Sequence, residues 1–157
     1  MSPCYESAEL TMILSRKLLC LAYGGIALIA LIGTWGNNIH YLDLGLIGAN
    51  IHFWQETFVN PASRSVTVDI LWLALAANIW MVLEARRLAI PGVWLYILAG
   101  ALIAISAAFP AFLIHRERAL AAKDVANSGG TMKLADVLGL AVLTLTMLAY
   151  TVFALRM

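Results

Sequence analysis

Four side chains in one stretch of the chain have the types and spacing to do chemistry: Asp69, Trp72, Trp80 and Glu84. Asp69 is the only ionisable residue between Arg64 and Glu84, inside a run from Val66 to Leu83 that is otherwise almost wholly apolar. A carboxylate at lipid depth costs roughly 2.5–3.5 kcal/mol on insertion scales, so it is expected to face a protein interior, a partner or a wet cavity. At about 100° per residue, Asp69, Trp72, Leu73, Ala76, Trp80, Leu83 and Arg87 share one stripe of a helix, with Glu84 about 60° away and Asn78 on the opposite face. Such a stripe suits a proton-accepting or polar-ligand site walled by two indole rings, whose faces attract cations. The plainer reading is that Asp69, about 9 Å from the helix midpoint, reaches the headgroups or pairs with Arg64 while the tryptophans pack.

Two further groups of polar residues stand out. Glu84, Arg86 and Arg87 end the second apolar run, and Arg116, Glu117 and Arg118 end the third. If both runs cross a membrane, the two clusters flank opposite faces and cannot meet. Arg86, Arg87, Arg116 and Arg118 are then interfacial anchors, with a local Glu84–Arg87 pair at i, i+3 worth a few tenths of a kcal/mol. His40, His52 and Glu56 are the nearest approach to a metal set, because His52 and Glu56 share a face if their segment is helical and imidazole with carboxylate suits zinc or iron. Only His40 or Asp43 is placed to complete such a site, so no metal is expected. No phosphate-binding glycine loop, Gly-x-Ser-x-Gly elbow or His-Glu-x-x-His motif is present, and no cofactor is called for.

The elements that must position these residues follow from composition. Of 157 residues, 62% are hydrophobic and 12% charged, and the mean hydropathy is +0.87. Soluble domains hold about 25% charged residues, so the solvent for most of this surface is lipid. A net charge of +1 supplies no basic field for a nucleic-acid backbone. Cys4 and Cys20 form no CxxC pair and are read as free thiols.

Four apolar runs match the roughly 20 residues of helix that a bilayer core takes: Leu18–Trp35, Val66–Leu83, Val93–Ile114 and Val137–Leu155. The expected fold class is all-α, a polytopic membrane protein with four transmembrane helices in an antiparallel bundle. A polar N-terminal tail (1–17) precedes a three-helix membrane core (18–118), then a loop (119–133) and a fourth transmembrane helix (134–157). The first run is too long for a signal-peptide core and lacks an Ala-x-Ala-like cleavage site, so it is retained. Asn60 caps the second helix and Pro61 suits its first turn; Pro91 and Gly92 punctuate the connection to the third. Gly100, Ala104 and Ala108 repeat at four-residue spacing, which permits close helix approach, and Pro110 bends the last turn. Residues 36–60 are too polar to span and aromatic enough to lie in the interface, with 47–58 as an amphipathic helix. Arg16, Lys17, Arg86, Arg87 and Arg156 fall on one side of such a bundle, and Arg64, Arg116, Arg118, Lys123 and Lys133 on the other. So even a balance leaves the positive-inside rule without a preference, and the leading helix tips the N-terminus towards the cytoplasm.

Asn60-Pro61, Asp69-Ile70-Leu71, Trp80-Met81, Glu84-Ala85-Arg86-Arg87-Leu88, Phe109-Pro110-Ala111-Phe112-Leu113 and Arg116-Glu117 together resemble a family of small bacterial membrane proteins catalogued as domain of unknown function 2834. The likeness covers about Lys17 to Arg118. It implies a bacterial inner-membrane location and a three-helix architecture, and it carries no activity.

The leading functional expectation is a non-enzymatic accessory or assembly subunit that packs against other membrane proteins or a copy of itself. A proton-coupled transporter of small lipophilic cations would use Asp69 as its titrating group with Trp72 and Trp80 as wall. An enzyme acting on a lipid or isoprenoid would use Asp69 or Glu84 as acid or base beside an apolar groove.

Overall fold

The computed structural model describes residues 3–122 together with Leu134, Leu138 and Leu145. Helix α1 runs over Pro3–Asn38, so the stretch expected as a polar tail continues the first apolar helix. A short 3-10 turn, Ile39–Leu44, leads into α2, Gly45–Glu56. Along α2 and just beyond it, Ile47, Ile51, Trp54 and Phe58 stay exposed. Their spacing of three and four residues puts an apolar stripe on its outer side.

Helix α3, Pro61–Leu88, starts and stops where the sequence says it should. The Asn60 side chain accepts a 2.9 Å hydrogen bond from the Ser63 amide, with Pro61 filling the first helical position. At the other end Ala89 adopts φ 53°, ψ 40°, and the Ile90 amide donates back to the Ala85 carbonyl at 2.8 Å. This left-handed cap satisfies carbonyls that the last turn would leave open. Gly92, at φ 70°, supplies the second left-handed residue of the connection.

Among the described residues, three helical stretches can cross a membrane by length and composition: Leu14–Leu44, Pro61–Leu88 and Val93–Ala122. That is one fewer than expected, and the anticipated fourth, within 134–157, lies outside the described residues apart from Leu134, Leu138 and Leu145, as does most of the 119–133 loop. The helix before that loop continues to Ala122.

The third stretch is not a straight rod. It comprises α4, Val93–Ala99, a wide π-type turn at Gly100–Ala104, and α5, Ile105–Ala122. The Tyr96 hydroxyl lies 3.0 Å from His115 Nδ1, although a straight helix would part these residues by about 28 Å. The rings of Tyr96 and Phe112 are 5.6 Å apart, and a Cβ on Gly100 would sit 3.7 Å from that of Ala108. Separations of 8, 16 and 19 residues collapse together, so α4 and α5 form an antiparallel hairpin. Gly100, Ala104 and Ala108 therefore serve the fold-back, where small residues let the arms close, rather than a stripe between two long helices. Pro110 lies buried near the start of α5 instead of bending its last turn.

Helix α5 is the centre of the molecule and packs against α1, α3 and α4. It runs parallel to α3, because Trp80 meets Phe109 and Phe112 and, one turn on, Glu84 meets Arg116. It runs antiparallel to α1, because Gly24 faces Ile114 while Tyr23 comes within electrostatic reach of Arg116 and Glu117. The buried core, with Met81 and Phe112 fully enclosed, gathers Ala85, Leu88, Ile90, Val93 and Leu120 at the end where α3 stops and α5 finishes. At 1.5 Å per residue, the hairpin turn stops about 20 Å short of the N-terminal end of α3.

Candidate functional site

The fold-back brings together the two charged clusters that the four-helix reading kept apart. Glu84 is 8% exposed and Glu117 3%. Arg87 donates from Nε and Nη2 to the two Glu84 carboxylate oxygens, each at 2.7 Å, which confirms the expected i, i+3 pair. Arg116, 32 residues further on, donates from Nε to Glu84 Oε1 at 2.6 Å and from Nη1 to Glu117 Oε1 at 2.6 Å. The result is a linear network, Arg87–Glu84–Arg116–Glu117, whose four formal charges cancel. Burial of charge is tolerated when each group is paired and hydrogen-bonded. Glu117 Oε2 is the one carboxylate oxygen of the network with no partner among the described residues.

Trp80 closes the network on one side. The Arg116 guanidinium carbon lies 5.7 Å from the Trp80 ring centroid, and that ring meets Phe109 and Phe112 edge to face at 5.8 and 6.1 Å. An arginine over an indole face gains cation–π attraction where water is scarce. Arg116 is thus an internal clamp that ties α3 to α5, and Arg87 is half-engaged in it. Arg86 and Arg118, exposed and outside the network, remain at the bundle end.

Asp69 is elsewhere. It is exposed on α3 and has no side-chain partner among the described residues. Trp72, 68% exposed, and Leu73 flank it. The inward face of α3 is the one carrying Thr67, Asn78, Met81 and Ala85, the side opposite Asp69. The Asp69 stripe turns outward until its last two turns, where Trp80 and Arg87 reach the ion network. Trp72 and Trp80 therefore stand in different surroundings and do not wall one pocket.

His52 Nε2 and Glu56 Oε1 are 3.6 Å apart, and the His52 ring stacks edge-on with Tyr41 at 5.3 Å. His40 does not join them, and no group of three metal-ligating side chains is found among the described residues. A cleft of about 310 Å³ lies beside this pair, between the end of α1 and the first turns of α3, reached by Asn38, Tyr41, Glu56 and Thr67.

Sequence reasoning passed over His115, Tyr96 and the Glu84–Arg116 contact. The signal was length: a 30-residue rod would extend about 45 Å, well beyond a hydrocarbon core of about 30 Å, with arginines at both ends.

Comparison with curated proteins and with solved structures found no match. A family profile, described as Protein of unknown function DUF2834, matches residues 22–118, the segment that holds α3, the hairpin and the whole ion network. Spanning more than half of the sequence, that match makes the chain a member of the DUF2834 family.

Proposed function

We propose that this protein is a small integral membrane protein that serves as an accessory or assembly subunit, and that the outward face of α3 is where its partner packs. The observation that carries this reading is Asp69, a carboxyl group on an exposed helix face within an apolar span and without an intramolecular partner among the described residues. Left against acyl chains it would cost roughly 2.5–3.5 kcal/mol, and contact with a polar group of another membrane protein offsets that cost. Trp72 and Leu73 beside it supply apolar area for the same contact. The ion network does not compete for this role, since its groups are engaged in holding α3 to α5.

Charge placement supports an orientation. The hairpin carries Arg116 and Arg118 to the end that holds Arg16, Lys17, Arg86 and Arg87, leaving Arg64 alone at the other end among the described residues. By the positive-inside rule this end, and the N-terminus with it, faces the cytoplasm.

The test is purification of the tagged chain and of Asp69→Asn in mild detergent. The native chain is expected to bring down a stoichiometric companion, or a second copy of itself, that Asp69→Asn loses while keeping its own melting temperature. An Asp69→Asn protein with an unchanged complement would remove the reading.

A further inference from the structure

We propose that the groove between α4 and the C-terminal half of α5 binds an anionic phospholipid, with the lipid phosphate on Arg118 and His115. The groove holds about 440 Å³. Tyr96 lines it from α4, and Ala111, Ile114, His115 and Arg118, with Ala119 and Ala122 beyond them, line it from α5. Ala111, His115, Arg118 and Ala122 follow one another at three- and four-residue spacing, so they make one stripe of α5. No carboxylate lines the groove among the described residues.

Each part of the lipid has a matching surface. Arg118 is exposed and, unlike Arg116 and Arg87, has no acidic partner among the described residues, so its guanidinium keeps its fork of donors for a phosphate. His115 Nδ1 is engaged by the Tyr96 hydroxyl at 3.0 Å, which leaves Nε2 as the nitrogen for a ligand. When the tyrosine donates to Nδ1, the neutral ring carries its proton on Nε2 and presents a donor to the anion. From Arg118 back to Ala111 the stripe runs about 10 Å in the direction of the apolar interior, and Ile114 and the Tyr96 ring beside it make that stretch an apolar trough. A free phosphate has no use for that trough, whereas a glycerol backbone and the start of an acyl chain fill it. The surroundings fit as well: Arg16 and Lys17 lie at the same end, and basic pockets between helices at the cytoplasmic interface select anionic headgroups. The proposal rests on the membrane reading above but not on Asp69. Loss of the companion with lipid retained, or the reverse, separates the two.

The experiment is native mass spectrometry of the full chain in nonionic detergent, with phosphatidylglycerol or phosphatidylcholine added. The native protein is expected to keep one phosphatidylglycerol under activation that strips phosphatidylcholine. Arg118→Gln combined with His115→Gln should lower the retained fraction about tenfold or more, as expected for loss of charge-assisted bonds. Arg86→Gln, at the same end but outside the groove, should leave it unchanged. Should the double variant lose its fold by circular dichroism, Ala111→Leu tests the same groove by filling the trough without altering charge, and it should also displace the lipid. Equal retention of the two lipids, equal loss in Arg86→Gln, or retention in both groove variants would overturn the proposal, as would release of the lipid by excess inorganic phosphate.

Discussion

Arg116 serves two buried carboxylates at once, and only a guanidinium has the forked geometry to do so. Removing it leaves Glu84 and Glu117 buried with their shared counter-charge gone, a loss of the kind that costs about 3–5 kcal/mol. Arg116→Ala should therefore unfold far more readily than the native chain in detergent, by thermal or denaturant melting. Arg87→Ala removes the half-exposed member, whose pairing is screened by solvent, and should cost far less. If the two variants melted alike, the clamp would not be the buried element described. Glu84–Arg87 was legible in the sequence because a helix fixes its own i, i+3 neighbours. Glu84–Arg116 was not, because no helical period relates residues 32 apart. Asp69 was legible in a different way: its rarity in an apolar run marks it, but nothing local says which side of the helix turns inward.

At the scale of elements, the cap at Asn60, the stop before Pro91 and the short helix α2 could be read from local chemistry, since each depends on a few adjacent residues. The hairpin could not, because apolar side chains suit a crossing helix and a folded-back one equally. Its turn is tight at Gly100, where an added Cβ would come within 2.9 Å of Ile105 Cδ1. That atom ends a flexible side chain, so Gly100→Ala should be mild. Gly100→Val has further to push and should destabilise by about 1–3 kcal/mol, measured by melting of both variants in one detergent. The hairpin also makes a topological prediction. In a background without native thiols, Ala89→Cys and Ala122→Cys should react with an impermeant maleimide from the same side of sealed vesicles, and Asn60→Cys from the other. Reaction of Ala89→Cys and Ala122→Cys from opposite sides would show a straight crossing instead.

Across the whole molecule, the all-helical class and the apolar character were evident from composition, while the distribution of charge was not. Counting arginines on straight rods gave a balance. Placing Arg116 and Arg118 beside Arg86 and Arg87 turns that balance into a strong asymmetry among the described residues. A reporter active only in the cytoplasm should accordingly be active when fused before residue 3 and silent when inserted at Asn60; the opposite pattern would reverse the orientation. The fold-back also bears on how the chain is made. An apolar stretch of this length reaches the insertion machinery first as one segment, and the arginine pairs before and after it compete to stay behind. Neutralising Arg116 and Arg118 together should let the segment straighten and carry whatever follows Ala122 through to the opposite compartment, so that two side chains decide where the rest of the polypeptide lives.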